Sequence, residues 1–330
     1  MINRDIRTCF VTGGTGFIGS HLVDHLLKQG VEVRCLVRRP SNLRWLAGRP
    51  VRIINGDLAS EEALAEGVAG VDAVFHLAGL VAARNREEYF RVNAEGCRSL
   101  AKAVGQAGER DTVLVYVSSL AVSGPSEAEK ALTEEEPPEP ITSYGMSKLE
   151  GERALGAAGG RPVVIVRPPA VYGPRDREIL PFFRMGNRGF FPLINAGARL
   201  SLVHVVDLAR GIHRVACSGG AGETYFITGK EIVGISDMPR LLSGALGKKV
   251  RGIKVPSGLV SAVAGLSEAW GRVSGRMPVF NRDKARELAA SGWVCSPAKA
   301  LRDLSFQSEI SIENGFSQTV QWYRENNWIS

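Results

Sequence analysis

Short apolar runs alternate with amphipathic runs through the first half of the chain. Thr8–Thr12, Val31–Val37, Val51–Leu58, Asp72–Gly79, Thr112–Ser119 and Val163–Pro168 are continuous and rich in Val, Ile and Leu. Strands buried on both faces of a parallel sheet read this way, whereas a strand with one wet face alternates. Between them, amphipathic stretches predict helices up to Gln29, over Ser60–Val68, over Glu87–Ala107 and over Ser143–Leu155. Strand–helix alternation across Thr8–Pro168 predicts an α/β fold with a right-handed, doubly wound parallel sheet. Beyond Pro174 the regularity drops. A short helix and loop are expected over Arg175–Phe191. The apolar Leu202–Asp207 is expected to return to the sheet region, followed by a helix to Ala216 and a strand at Thr224–Ile227. From Ser236 helices are expected to dominate: Asp237–Leu246, Gly258–Val273 and Asp283–Ala290.

The first strand runs into Gly13-Gly14-Thr15-Gly16-Phe17-Ile18-Gly19, which opens the first helix. Gly13 lets the chain turn off the strand. Gly16 lets backbone approach a pyrophosphate, and Gly19 lets the helix pack against the sheet. Free N–H groups and a partial positive charge at the helix N-terminus complete an anion site. The second strand ends at Arg38-Arg39-Pro40, with no acid to hold a ribose 2′-hydroxyl. Arg38 suits a 2′-phosphate, so NADP(H) is favoured over NAD(H). Asp57 stands either as an acceptor for the adenine amino group or as an N-cap for the next helix. Ala78 and Gly79 are small enough for a cofactor to cross their backbone. His76 reads as a packed strand histidine. These features assign residues 1–174, rejoined by 202–228, to dinucleotide binding. Residues 175–201 and 229–330 form a smaller, mostly helical substrate unit.

The chemistry centres on Tyr144 and Lys148. Four residues apart on a helix, they share a face, about 6 Å apart along the axis. A fixed ammonium favours the phenolate and is expected to pull the phenol down from ~10 by two or three units, worth roughly 3–4 kcal/mol. Such a Tyr exchanges a proton with an alcohol or carbonyl. Ser118 and Ser119 end the fifth strand, at the carboxyl edge where ligands bind in open α/β sheets, and a hydroxyl there can donate to a substrate oxygen. The polar run Gly124–Pro140 predicts a loop or lid.

Composition narrows the partners. Hydrophobic residues make up 44% and charged residues 23%, with net charge +7. The cations are dispersed and no aromatic–basic interleaving occurs, so a small-molecule substrate is expected and nucleic acid is not. Five scattered cysteines form no C-x-x-C pair, so neither a metal site nor a disulfide framework is expected. A polar N-terminus and the absence of an eighteen-residue apolar run point to a cytoplasmic protein. Gly258–Trp270 is apolar enough to offer peripheral membrane contact, or to pack over the substrate cleft.

With these residues in view, the chain resembles the extended short-chain dehydrogenases/reductases over nearly all its length. T-G-G-T-G-F-I-G at Thr12–Gly19, D-L at Asp57–Leu58, H-L-A-G at His76–Gly79, S-S at Ser118–Ser119, Y-x-x-x-K at Tyr144–Lys148, R-P-x-x-V-Y-G-P at Arg167–Pro174 and H-V-x-D-L-A at His204–Ala209 occur in the family's order. The resemblance implies a Rossmann-type fold. It implies Tyr144 as proton donor and acceptor, Lys148 as its activator and a ribose ligand, and Ser119 as the polarising serine. Cofactor contacts are implied at Gly13, Thr15, Gly16, Phe17, Ile18, Gly19, Leu58, Leu77, Asn93, Ser118, Pro168, Ala170 and Val171. A homodimer through the helices carrying Asn93 and Tyr144 is implied too.

Two departures weigh against nucleotide-sugar chemistry. The Arg that grips a sugar diphosphate is replaced by Leu200, and V-Y-G after the serines reads Val122-Ser123-Gly124. V-R-x-x-V-R at Val33–Arg38 resembles the dihydroflavonol reductase branch, and the apolar C-terminal half resembles 3β-hydroxysteroid dehydrogenase-like members. Hydride transfer between NADP(H) or NAD(H) and a secondary alcohol or ketone of a fairly apolar substrate is the first expectation. A nucleotide-sugar epimerase or dehydratase with retained NAD, and a non-catalytic NADP-sensing protein, are the alternatives.

Overall fold

The computed structural model describes residues 4–39, 41–109, 111–127, 130–256, 258, 265 and 282–330. The apolar runs do form strands: β1 (Thr8–Thr12), β2 (Glu32–Val37), β3 (Val51–Asn55), β4 (Ala73–His76), β5 (Val113–Val117) and β6 (Val163–Val166). All are parallel, joined by a seventh strand at the edge beside β6, in the order Thr224–Tyr225, β6, β5, β4, β1, β2, β3. β1 therefore has β2 on one side and β4 on the other, and the order reverses between them. The carboxyl ends of β1 and β4 flank the crevice where such sheets take ligands. Most strands are shorter than the apolar runs. Asp57, Leu77–Gly79, Ser118 and Ser119 lie past the ladder, in the loops at that crevice.

Helices α1 (Phe17–Lys28) and α2 (Glu61–Val68) cover opposite faces of the sheet. The run expected as one helix over Glu87–Ala107 is broken. It comprises α3 (Arg86–Phe90), a π turn (Arg91–Glu95) and α4 (Gly96–Ala107). The π turn carries Asn93, and π turns in α-helices recur at functional sites. α5 (Ser143–Ala154) follows the long loop and packs on α4 and on the π turn.

The second half corrects two expectations. Residues 199–204 do form a strand, but it does not return to the main sheet. After β7 (Ala170–Tyr172), α6 (Leu180–Asn187) and β8 (Phe190–Leu193), the strand β9 (Arg199–His204) pairs in parallel with β7. It pairs antiparallel with Ile232–Gly234. The free edge of β6 is taken by Thr224–Tyr225, so β9 pairs in a small second sheet, while its Val203 still packs in the main core. What rejoins the main sheet is α7 (Val205–Ser218), packed against α1, and the edge strand, β10 (Thr224–Tyr225). The Gly124–Pro140 loop is tied down, so it is no free lid: Leu132 N donates to the Val294 carbonyl (2.9 Å) and Phe226 N to Glu134 Oε1 (2.7 Å).

A third core joins α6, α8 (Met238–Leu246) and the C-terminal helix Ile312–Glu325 around Phe183, Phe316 and Tyr323. Each such fully buried side chain contributes roughly 1.5–3 kcal/mol. The expected helix over Gly258–Val273, apart from residues 258 and 265, lies outside the described residues. Among the described residues, no helix is long and apolar enough to cross a membrane.

Candidate active site

The glycine run forms a close-packed turn. Gly13 has φ +77°, and a Cβ there would meet Ala78 N at 2.6 Å. A Cβ at Gly19 would meet the Gly13 carbonyl oxygen at 2.1 Å, which fixes helix and turn in contact. Gly16 is the N-cap of α1, exposed and extended, with no side-chain cap and no acid in the first turn. The first N–H groups of α1, at Phe17 and Ile18, are thus left to a ligand. A bare glycine surface with uncapped donors fits the pyrophosphate of a dinucleotide. Thr15, Phe17, Ile18, Leu77 and Ala78 are half-buried around it, and Gly79 is exposed.

Arg38 stands exposed just past β2, while Arg39 donates to Asn55 Oδ1 (3.0 Å). Asp57 is not the N-cap of α2, which is Ser60. Its Oδ1 accepts from Ala59 N and Ser60 Oγ, both at 2.9 Å, and closes the turn before the helix. Leu58 packs on Gly96 of α4. Asn93 is buried and serves the same rim from behind. Its Oδ1 accepts from Leu80 N (2.7 Å), and its Nδ2 donates to the Leu80 carbonyl (3.0 Å) and Ser147 Oγ (2.9 Å). Asn93 thereby fixes the chain just after Gly79.

Thr142 caps α5, accepting from Gly145 N (3.1 Å), which sets Tyr144 in the first turn. Tyr144 and Ser119 line one cavity. Burial pushes the Tyr144 phenol up to about 12, and its hydrogen bond with Ser119 pulls the other way. The expected downward pull from Lys148 is not what governs Tyr144 here. The Lys148 ammonium donates to the Val117 carbonyl (2.8 Å), lies 4.2 Å from the Tyr116 ring centroid, and is itself lowered to about 8 by burial. His76 is fully buried, its Nδ1 2.6 Å from Thr12 Oγ1, with its ring stacked on Tyr116. It is a packed histidine.

Ser118 is buried, and its hydroxyl donates to Glu152 Oε1 (2.5 Å). Glu152 also accepts both arms of Arg167, Nε at 2.9 Å and Nη2 at 2.6 Å. This buried pair was not anticipated. The signal was present, since Glu152 lies four residues beyond Lys148 on the same helical face. Pro168 is buried and its carbonyl accepts from Leu120 N (2.8 Å), whereas Ala170 and Val171 face the cavity.

The cavity measures about 330 Å³. It runs from Ser119 and Tyr144 into the third core, between Phe183, Leu202, Leu242 and Phe316. Leu200, where an anion-gripping Arg was looked for, is part of its apolar wall.

The model of the NAD dependent epimerase/dehydratase family matches residues 9–228. A ceramide reductase of Caulobacter vibrioides is 33% identical over 97% of this chain and 95% of its own length. Sterol demethylase protein B of Methylococcus capsulatus is 32% identical over 98% of this chain and 100% of its own. Among solved structures, the dTDP-glucose 4,6-dehydratase DesIV of Streptomyces venezuelae, with NAD bound, superposes with a TM-score of 0.79. It covers 98% of this chain and 99% of its own, at 27% identity.

Proposed function

The chain belongs to the NAD dependent epimerase/dehydratase family, the extended short-chain dehydrogenases/reductases, and from this premise we propose that it is an NADP(H)-dependent ketoreductase acting on a lipid-like substrate. The observation that carries the reading is the cavity: an almost wholly apolar space that ends on Ser119 and Tyr144. Two relatives are named for ceramide and sterol chemistry, which agrees with an apolar body bearing one oxidisable carbon. A sugar diphosphate would need cations, and among the described residues Lys284 is the only one in the lining.

The chain's own groups divide the work. Gly13, Gly16 and Gly19 seat the pyrophosphate against the N-terminus of α1. Arg38, with no acid beside it, meets a 2′-phosphate. When bound, the nicotinamide supplies the hydride. Ser119 donates a hydrogen bond to the substrate carbonyl and orients it. Tyr144, held protonated at neutral pH by its burial, delivers the proton to that oxygen. Lys148 supports the phenolate left behind, at a distance the helix sets. The apolar wall keeps water away from the reacting carbon. Two copies associate through α5 and the α3–α4 run, whose shared groove is edged by Phe90, Met146 and Leu149.

The test is turnover of a panel of long-chain and steroidal ketones with NADPH or NADH, read at the reduced-nicotinamide absorbance. Turnover is expected with NADPH preferred, with Arg38→Glu reversing that preference. Tyr144→Phe is expected to lower kcat by roughly 10²–10⁴ with cofactor affinity kept. Near-normal turnover by that variant ends the assignment.

A further inference from the structure

Among the described residues the cavity wall is mostly apolar, and its charge is confined to one place. Among the described residues that line it, only Lys284 and Glu287 carry charge. Both sit on the helix Arg282–Ala289, one turn apart, with Lys284 Nζ 2.9 Å from Glu287 Oε2. Lys284 is 57% exposed at the mouth and Glu287 only 20%, so the pair spans the passage from solvent to cavity.

This helix is fixed to the catalytic one. Ser143 N, next to Tyr144, donates to Asp283 Oδ2 at 2.8 Å, and Asp283 precedes Lys284. Trp293 Nε1 donates to the Glu287 carbonyl (2.9 Å). Asn195 Nδ2 donates to the carbonyls of Ala289 (3.3 Å) and Ala290 (3.0 Å). The charged pair is thereby held on the Tyr144 side of the cavity. The far end, around Phe183, Leu242 and Phe316, offers no charged group among the described residues.

Among the described residues, a substrate therefore meets charge beside its reacting carbon and nowhere deeper. An apolar surface laid over the pair would strip water from both charges and supply no hydrogen bond to replace it. A group with both a donor and an acceptor satisfies the carboxylate and the ammonium together. Resting on the ketoreductase reading, we infer that Lys284 and Glu287 form a polar subsite that selects ketones bearing a hydrogen-bonding substituent, an amide or hydroxyl, on the carbon next to the carbonyl. The substrate is then an amphiphile whose polar atoms cluster at the reacting end and whose chain fills the third core. A sterol-like ketone, with an apolar skeleton on both sides of the carbonyl, fits less well.

The experiment compares three ketones with saturating NADPH: a long-chain 2-acylamino ketone, the plain ketone of equal chain length, and a ketosteroid. The readout is the ratio of kcat/KM values. The acylamino ketone is expected to be preferred over the plain one by about 10–100-fold, the range for losing hydrogen bonds to charged groups. Glu287→Gln and Lys284→Met are each expected to shrink that ratio about tenfold. Thermal melts and NADPH affinity report that both variants are folded. A ratio near one in the unmodified protein, or a ratio unmoved in both variants, overturns the subsite and leaves the ketoreductase standing. No turnover of any ketone by a protein that binds NADPH overturns both.

Discussion

Tyr144 sits half-buried at the end of an apolar cavity, and that burial raises its phenol to about 12, while the same burial lowers Lys148 to about 8. The two shifts have one origin, the loss of water from a charged form, and opposite signs because one group charges by losing a proton and the other by gaining it. Lys148 couples this to stability. Its folded value, about 8, lies below the 10.5 of an ordinary lysine. Between those values the folded protein has released the proton and the unfolded chain retains it. The unfolded state binds more protons, so stability rises with pH over that window, by up to about 1.4 kcal/mol per unit. Below the window both states are charged, and the fold bears the whole desolvation cost. The Tm difference, native protein minus Lys148→Met, is expected to increase from pH 8 to pH 10. A flat difference would show that the ammonium is better solvated than its position implies. At this scale the sequence made Tyr144, Lys148 and Ser119 legible, because spacing on one helix and a strand end suffice to bring them together. The direction of the Tyr144 shift was not legible, because it depends on what encloses the ring.

The elements separate glycines that matter from glycines that do not. Gly19 is packed against the Gly13 carbonyl oxygen, so Gly19→Ala must push α1 off its turn and move the first N–H groups of that helix, where the pyrophosphate is proposed to sit. Loss of NADPH affinity by at least tenfold and a lower Tm are expected, by calorimetric titration and thermal melting. Gly244 lies within α8 with open space where a Cβ would stand. Gly244→Ala is expected to stabilise by about 0.5–1 kcal/mol, since it removes backbone freedom from the unfolded chain without a clash. Equal effects at the two positions would sink the packing account of the turn. Most apolar runs gave their strands and α5 its helix, because continuous burial and a Thr142 cap act locally. The π turn at Asn93 and the pairing of β9 were not legible. Each is settled by a distant partner, Leu80 for the first and the occupied edge of β6 for the second.

For the molecule as a whole, the groove between α5 and the α3–α4 run presents Phe90, Met146 and Leu149 beside Arg98 and Arg153. If two copies meet there, Leu149→Asp is expected to halve the mass seen by light scattering, with the monomer still binding NADPH. A native protein that is monomeric at micromolar concentration overturns the pairing. The order of motifs along the chain determined the parallel sheet, the glycine turn at the N-terminus of α1 and the meeting of Ser119, Tyr144 and Lys148, because each follows from contacts within one strand–turn–helix unit or from spacing along one helix. Tertiary structure alone decided the rest. It closed an apolar cavity between α6, α8 and the C-terminal helix, buried Glu152 against Arg167, and set the helix of Lys284 and Glu287 beside Tyr144. Those contacts join residues far apart in the chain, and the Ser143–Asp283 hydrogen bond spans 140 positions. No local pattern encodes such a pairing, since it depends on which surfaces the remaining chain leaves to be buried together.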